Sequence, residues 1–189
     1  MKPALVFSVV SLCAGIAACS TLPTGLDPIS TVSHVDLPRF MGTWYPIAVI
    51  PTPPEKNAIN PTEQYRLDED GSIPTVFTYH DGSPEGAIKQ FNSKAFVVNH
   101  ETNAEWGVQF FRLLPIKAEY LIAWLADDYS EVIVARNKRD YVWYMSRSPQ
   151  PSEEQLSAAK KRIAALGYDM SQLRIVRVNT SNNDTTSLK

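Results

Sequence analysis

Eight short runs of alternating apolar and polar residues, each closed by a turn signal, constrain this chain more than any other feature. They fall at 42–50, 62–67, 73–79, 88–98, 106–113, 120–126, 131–136 and 141–147. Period-two alternation gives a strand one buried face, so consecutive runs of this kind predict an antiparallel sandwich or barrel. Between the second and third runs, Asp68-Glu69-Asp70-Gly71 suits a hairpin tip: the acids favour an exposed turn and Gly71 accepts positive φ. One helix follows the eighth run. Ser152 and Gln155 form a capping box, Leu156, Ala159, Ile163 and Leu166 share a face, and Gly167 stands where a helix C-terminal glycine belongs. A last short strand at 173–178 is expected to pair back near the start of the sheet.

Ahead of the first run the chain reads Asp36-Leu37-Pro38-Arg39-Phe40-Met41-Gly42-Thr43-Trp44-Tyr45. Asp36 can cap one helical turn, Gly42 breaks it, and Trp44 starts the extended run. About a hundred residues later, Arg139-Asp140-Tyr141-Val142-Trp143-Tyr144-Met145-Ser146-Arg147 ends the last run on an arginine able to stack on an indole face. Between these anchors, 120–130 is an apolar strand that enters a paired-acid turn at Asp127 and Asp128.

In this order and spacing the three segments resemble the signature regions of the lipocalin family. The resemblance covers residues 34–178 and is nearest to bacterial outer-membrane lipocalin lipoproteins and the apolipoprotein D-like branch. It implies an eight-stranded antiparallel up-and-down β-barrel, a calyx, with one C-terminal helix packed outside. Gly42, Trp44 and Arg147 would then form the structural signature at the closed end.

The leading residues 1–18 carry an early Lys2, an apolar stretch at 4–18, and small residues before Cys19, as a cleavable secretory signal does. Ile16-Ala17-Ala18-Cys19 resembles the processing site of bacterial lipoprotein precursors. That resemblance implies a diacylglyceryl thioether and an N-acyl group on Cys19, with Ser20 directing the protein to the outer membrane. Residues 19–33, with Pro23, Gly25 and Pro28, then read as a lipidated N-terminus and tether, the domain as 34–178, and 179–189 as a disordered polar tail. Cys13 and Cys19 are the only cysteines. If one leaves with the signal and the other is acylated, no disulfide staples the barrel, a departure from many lipocalins.

If Trp44 points inward, alternation places Tyr65, Phe77, Tyr79, Phe91, Val108, Phe110, Tyr120, Ile122, Trp124, Tyr141 and Trp143 around the lumen as ligand-binding candidates. Thr75, Ala95, Val97, Trp106 and Met145 share that side. Such an apolar, phenol-bearing lumen suits an acyl chain, so the expected partner is a fatty acid or lysophospholipid. The mouth should include the proline-rich loop 51–61, where Lys56 can meet an anionic head group.

The net charge of −2 and scattered basic residues give no nucleic-acid footprint. His34, His80 and His100 lie at no metal-ligand spacing, so neither metal nor cofactor is expected. No nucleophile or phosphate-loop motif indicates catalysis, and adjacent Asp127 and Asp128 face opposite ways in an extended chain. The expectation is therefore a binding protein, held to the outer membrane on its periplasmic side, that stores or carries lipid in the envelope. Two alternatives stand beside it: a lipid-modifying lipocalin enzyme, and a structural envelope lipoprotein with a packed lumen. Relatives of this kind can form homodimers; the sequence offers no separate sign of one.

Overall fold

The computed structural model describes residues 25–110 and 116–176. Eight strands run in chain order: β1 (Gly42–Ile50), β2 (Ala58–Tyr65), β3 (Ile73–Asp81), β4 (Ile88–Val97), β5 (Glu105–Gln109), β6 (Ala118–Leu125), β7 (Glu131–Ala135) and β8 (Val142–Ser146). Each pairs antiparallel with the next, and β1 pairs with both β8 and β2, which closes the sheet into a barrel. The predicted run 106–113 reaches past the described residues. A ninth strand, β9 (Arg174–Ile175), adds to the sheet beside β1. It pairs with Ala48 and Val49 on β1, above the stretch where Gly42 to Trp44 pair with β2. The expected return strand is thus present, and its residues after 176 lie outside the described part.

α1 (Leu37–Phe40) is a single turn capped by Asp36, whose carboxylate accepts from the Arg39 amide at 3.3 Å. Gly42 then turns the chain into β1 with φ +96°, a conformation that disfavours a side chain. A Cβ there would also stand 3.3 Å from Arg147 Nη1. α2 (Glu153–Ala165) has the capping box the sequence predicts: the Gln155 amide donates to Ser152 Oγ at 3.2 Å, and the Ser152 amide to Gln155 Oε1 at 2.7 Å.

Two apolar clusters divide the molecule. One fills the barrel around Phe40, Trp44, Tyr65, Trp106 and Tyr120; the other lies between the outer wall and α2, where Ala159 and Ile163 pack on Ile47, Leu121 and Ile133. Two bulges change which face a strand buries. In β1 the register with β8 shifts between Pro46 and Ala48, where proline lacks a donor, so both Ile47 and Ala48 face the outer cluster.

In β6 the register with β7 shifts between Ile122 and Trp124. Ala123 and Trp124 both pack on the helix side, and Arg162 of α2 sits 4.1 Å above the Trp124 ring. Strict alternation had put Trp124 in the lumen; the extra residue moves it outside.

Part of the segment expected to be a tether, from Asp27 to Val32, is docked on the barrel. The Ile29 amide donates to Asn137 Oδ1 at 2.7 Å, Val32 to the Ile122 carbonyl at 3.0 Å, and Val35 to the Thr102 carbonyl at 2.7 Å. It descends the flank of the barrel, and Val35 is fully buried. The tail 179–189, the signal 1–18 and Cys19 lie outside the described residues.

Candidate functional site

The closed end is a plug of aromatic rings. Phe40 lies 5.1 Å from both Trp44 and Trp106 by ring centroid and 5.5 Å from Tyr65, while Trp106 stacks on Tyr120 at 5.1 Å. Trp44 Nε1 donates to the Phe40 carbonyl at 2.9 Å, so the indole is buried without an orphaned donor. Arg147 covers it from below with its guanidinium carbon 3.9 Å from the indole centroid. The same guanidinium donates to the carbonyls of Thr43 (2.7 Å), Phe40 (2.8 Å) and Met41 (2.8 Å). Those carbonyls surround the α1-to-β1 turn, so one side chain ties the turn to the last barrel strand. The expected pairing of Trp44 with Arg147 is present.

Four of the proposed ligand-binding residues belong to this plug or its immediate wall: Tyr65, Val108, Tyr120 and Ile122 point inward but are buried against neighbours. Ile73, Ala95, Met145 and Val134 close the same cluster. Toward the open end the packing loosens. Phe77 is 5.5 Å from Tyr79, Tyr79 stacks on Phe91 at 6.1 Å, and Tyr141 is 6.3 Å from Trp143. Tyr79 is buried, whereas Phe91 is 44% exposed although it shares the inward side. The β4–β5 ladder explains this: it runs only from Lys94 to Val97 on β4, so Phe91 has β3 as its one partner strand among the described residues. Phe110 follows β5 at the mouth and is exposed.

Two acids stand between these halves, and neither was among the residues read from the sequence. Glu63 alternates with Tyr65 on β2 and is register partner of Trp44, so its carboxyl enters the lumen just above the plug. Glu55 comes from the 3₁₀ turn Pro53–Glu55 in the mouth loop. Its Oε2 accepts from the Thr52 amide and Thr52 Oγ1, both at 2.7 Å, and its Oε1 from Trp143 Nε1 at 3.1 Å. Glu55 thereby fastens the mouth loop to β8.

Burial raises the Glu55 carboxyl above the usual range. Glu63 is pushed up to about 8, first by desolvation and then by the charge of Glu55, with a Tyr65 hydrogen bond opposing. Tyr65 and Tyr120 hydroxyls meet at 2.7 Å, and both are raised by burial and then by the charge of Glu63. At neutral pH Glu63 is thus mainly the acid form, a protonated carboxyl beside the phenol pair. A run of polar and apolar letters around Glu63 (Pro61-Thr62-Glu63-Gln64-Tyr65) carried the signal: Glu63 has the parity of Tyr65.

Lys56 is exposed on the mouth loop beside Glu55. Asp127 and Asp128 form the expected turn outside the barrel: Asp128 accepts from Ser130 N at 3.0 Å and Ser130 Oγ at 2.6 Å, which holds its carboxyl below the usual range. A recess of about 640 Å³ beside this turn, under α2, includes Trp124 and Arg162 and does not touch the lumen.

A closed antiparallel barrel with a plugged floor, an aromatic open half and an external helix defines a calyx-type binding protein. The model of the lipocalin-like domain matches residues 35–178 of the chain, and the chain belongs to the lipocalin family. It is 30% identical over 157 residues to outer membrane lipoprotein Blc of Escherichia coli K12, covering 83% of this chain and 86% of that protein. It is also 26% identical over 161 residues to temperature-induced lipocalin-1 of Arabidopsis thaliana, covering 83% and 84%. Mouse apolipoprotein D is 28% identical over 146 residues, covering 74% and 75%.

Among solved structures, insecticyanin of the tobacco hornworm Manduca sexta superposes with a TM-score of 0.65 at 15% identity, covering 82% and 87%. Apocrustacyanin C2 does so at 0.61 and 12% identity, covering 77% and 81%; both establish the fold alone. Lipocalins are typically non-enzymatic proteins that bind small hydrophobic ligands.

Proposed function

We propose that this protein is a lipid-anchored lipocalin of the bacterial cell envelope that binds a fatty acid or lysophospholipid in the open half of its barrel. The observation that carries this reading is the division of the lumen. Below Glu63 the rings pack on one another; above it Phe77, Tyr79, Phe91, Tyr141 and Trp143 form walls that are not filled to the same degree. An acyl chain fits such walls, and the protonated Glu63 can donate to a carboxylate, phosphate or ester oxygen at the boundary.

The anchor follows from Ile16-Ala17-Ala18-Cys19, with residues 1–18 removed and Cys19 acylated. Two or more acyl chains hold a protein stably at a bilayer, where a single myristoyl chain does so only marginally. Similarity to a protein named outer membrane lipoprotein supports the outer membrane, and the periplasmic face is the side on which such processing ends. Storage, transport or repair of envelope lipid is the role this arrangement serves.

Native mass spectrometry of the mature protein extracted in mild detergent tests the binding. A co-purified lipid, or displacement of a fluorescent fatty acid after delipidation, is expected. The absence of both would favour the packed-lumen structural reading, for which the filled closed half is the supporting observation. Release of fatty acid from a lysophospholipid would instead indicate an enzyme.

A further inference from the structure

The apolar side chains left in water are unevenly placed. Strands β1, β3, β5 and β7 all run away from the Trp44 plug, so the described residues that follow them line the rim of the open end. Ile88 is 69% exposed beyond the β3–β4 turn, and Phe110 (55%) and Ile116 (73%) flank the β5–β6 connection. At the closed end Val98 is the one large apolar side chain among the described residues that is comparably exposed.

Charge divides the same way. Among the described residues, the closed-end turns expose Glu69, Asp70, Glu101, Asp127 and Asp128 against Arg39 and Arg66; the rim exposes Lys56 and Lys138 against Asp27 and Glu85.

The N-terminal segment leads to that same rim. Arg139 Nη2 donates to the Asp27 carbonyl at 2.6 Å, and the Ile29 amide to Asn137 Oδ1 at 2.7 Å, both partners lying in the β7–β8 connection. Cys19 precedes Asp27 by eight residues. Those residues reach at most about 28 Å when fully extended, whereas a strand the length of β1 rises about 30 Å. A bilayer holding Cys19 is therefore within easy reach of the rim, and the closed end could approach it only with the connecting residues stretched back along the barrel.

We propose that the open end of the barrel seats on the bilayer that holds acylated Cys19. Ile88, Phe110 and Ile116 enter the interface, and Lys56 and Lys138 face anionic head groups. This rests on the reading of Cys19 as a lipid anchor. It also gives the lumen a purpose for its orientation: a ligand passes between bilayer and barrel without crossing water, and the acidic closed end points away from the anionic surface.

The test uses the mature protein purified from membranes, with its intact mass recording acylation, reconstituted in vesicles of phosphatidylethanolamine and phosphatidylglycerol. Single variants Ile88→Cys and Ile116→Cys at the rim, and Glu69→Cys and Val98→Cys at the closed end, carry an environment-sensitive fluorophore. Rim labels should shift to the blue and be quenched by nitroxide lipids several-fold more than closed-end labels. Equal quenching at the two ends, or stronger quenching at Glu69 and Val98, would overturn the proposal. So would unquenched rim labels accompanied by a dimer that Ile116→Ser dissolves, since a second copy would then cover the rim. A mass without acyl chains would remove the anchor reading separately. The same labels on that protein, added to the vesicles, would still decide which end meets lipid, and no quenching at either end would reject the docking surface.

Discussion

The two halves of the barrel share one sheet and nearly the same kinds of residue, yet they do different work. In the closed half, Phe40, Trp44, Tyr65, Trp106 and Tyr120 contact one another and Arg147 seals them from outside. In the open half, Phe77, Tyr79, Phe91, Tyr141 and Trp143 line walls whose strands are less completely paired. Aromatic content therefore does not distinguish a core from a binding wall. What distinguishes them is whether a second layer of side chains, here supplied by α1 and Arg147, fills the space the rings enclose.

That contrast predicts that substitutions below Glu63 cost stability and those above it cost affinity. Trp44→Ala should show the largest stability loss, about 3 to 5 kcal/mol for emptying a large buried aromatic site. Urea unfolding measures it, and an unchanged midpoint with lost lipid affinity would exchange the roles of the two halves. Arg147→Met should follow at about 2 to 3 kcal/mol, because the stacked cation and its carbonyl contacts vanish together. The same unfolding curves measure it, and ligand affinity in the folded protein should stay near that of the parent.

Glu63 stands at the boundary, and pH separates its effects. The folded protein holds this proton more tightly than the unfolded chain, with a value near 8 against 4.5. Its stabilising contribution is therefore complete below pH 4.5 and is lost as pH rises toward and through 8, at no more than about 1.4 kcal/mol per pH unit. Because Glu63 retains contact with the lumen, screening reduces the total to on the order of 1 to 2 kcal/mol. Glu63→Gln should flatten the fall in midpoint between pH 5 and 9. It should also abolish the loss of fatty-acid affinity expected above pH 8, where an ionised Glu63 repels an anionic head group. A parent protein whose affinity is constant from pH 6 to 9 would place the head group away from Glu63.

The sequence carried the barrel legibly, because eight alternating runs and the Trp44 and Arg147 anchors each have a direct structural counterpart. It carried the lumen less well, and the failures have identifiable causes. Trp124 left the lumen through a bulge at Ala123, and a one-residue register shift has no letter of its own. Glu63 shares the alternation of Tyr65, but an acid carries no apolar signal that marks it as part of a lumen wall. Glu55 enters from a loop, and only its bonds to Thr52 and Trp143 turn it inward. The stretch 27–33 read as a spacer because proline and small residues dominate nearby, while Ile29 and Val32 are held by partners far away in the chain.

The smallest expected change in stability is also the sharpest test of the open half. Phe91 stacks on Tyr79 but remains 44% exposed, and its upper part of β4 pairs only with β3 among the described residues. Phe91→Ala removes little buried surface, so the unfolding midpoint should move by no more than about 0.5 kcal/mol. A bound acyl chain would lose one aromatic wall. That loss corresponds to roughly 1 kcal/mol, or about a fivefold weaker dissociation constant in fluorescent fatty-acid displacement. Weaker binding with unchanged stability is what a wall residue gives, and Trp44→Ala should give the reverse. If Phe91→Ala left affinity untouched, the ligand would have to lie on the β8 side, against Tyr141 and Trp143, and the parallel substitution Trp143→Phe would then carry the loss.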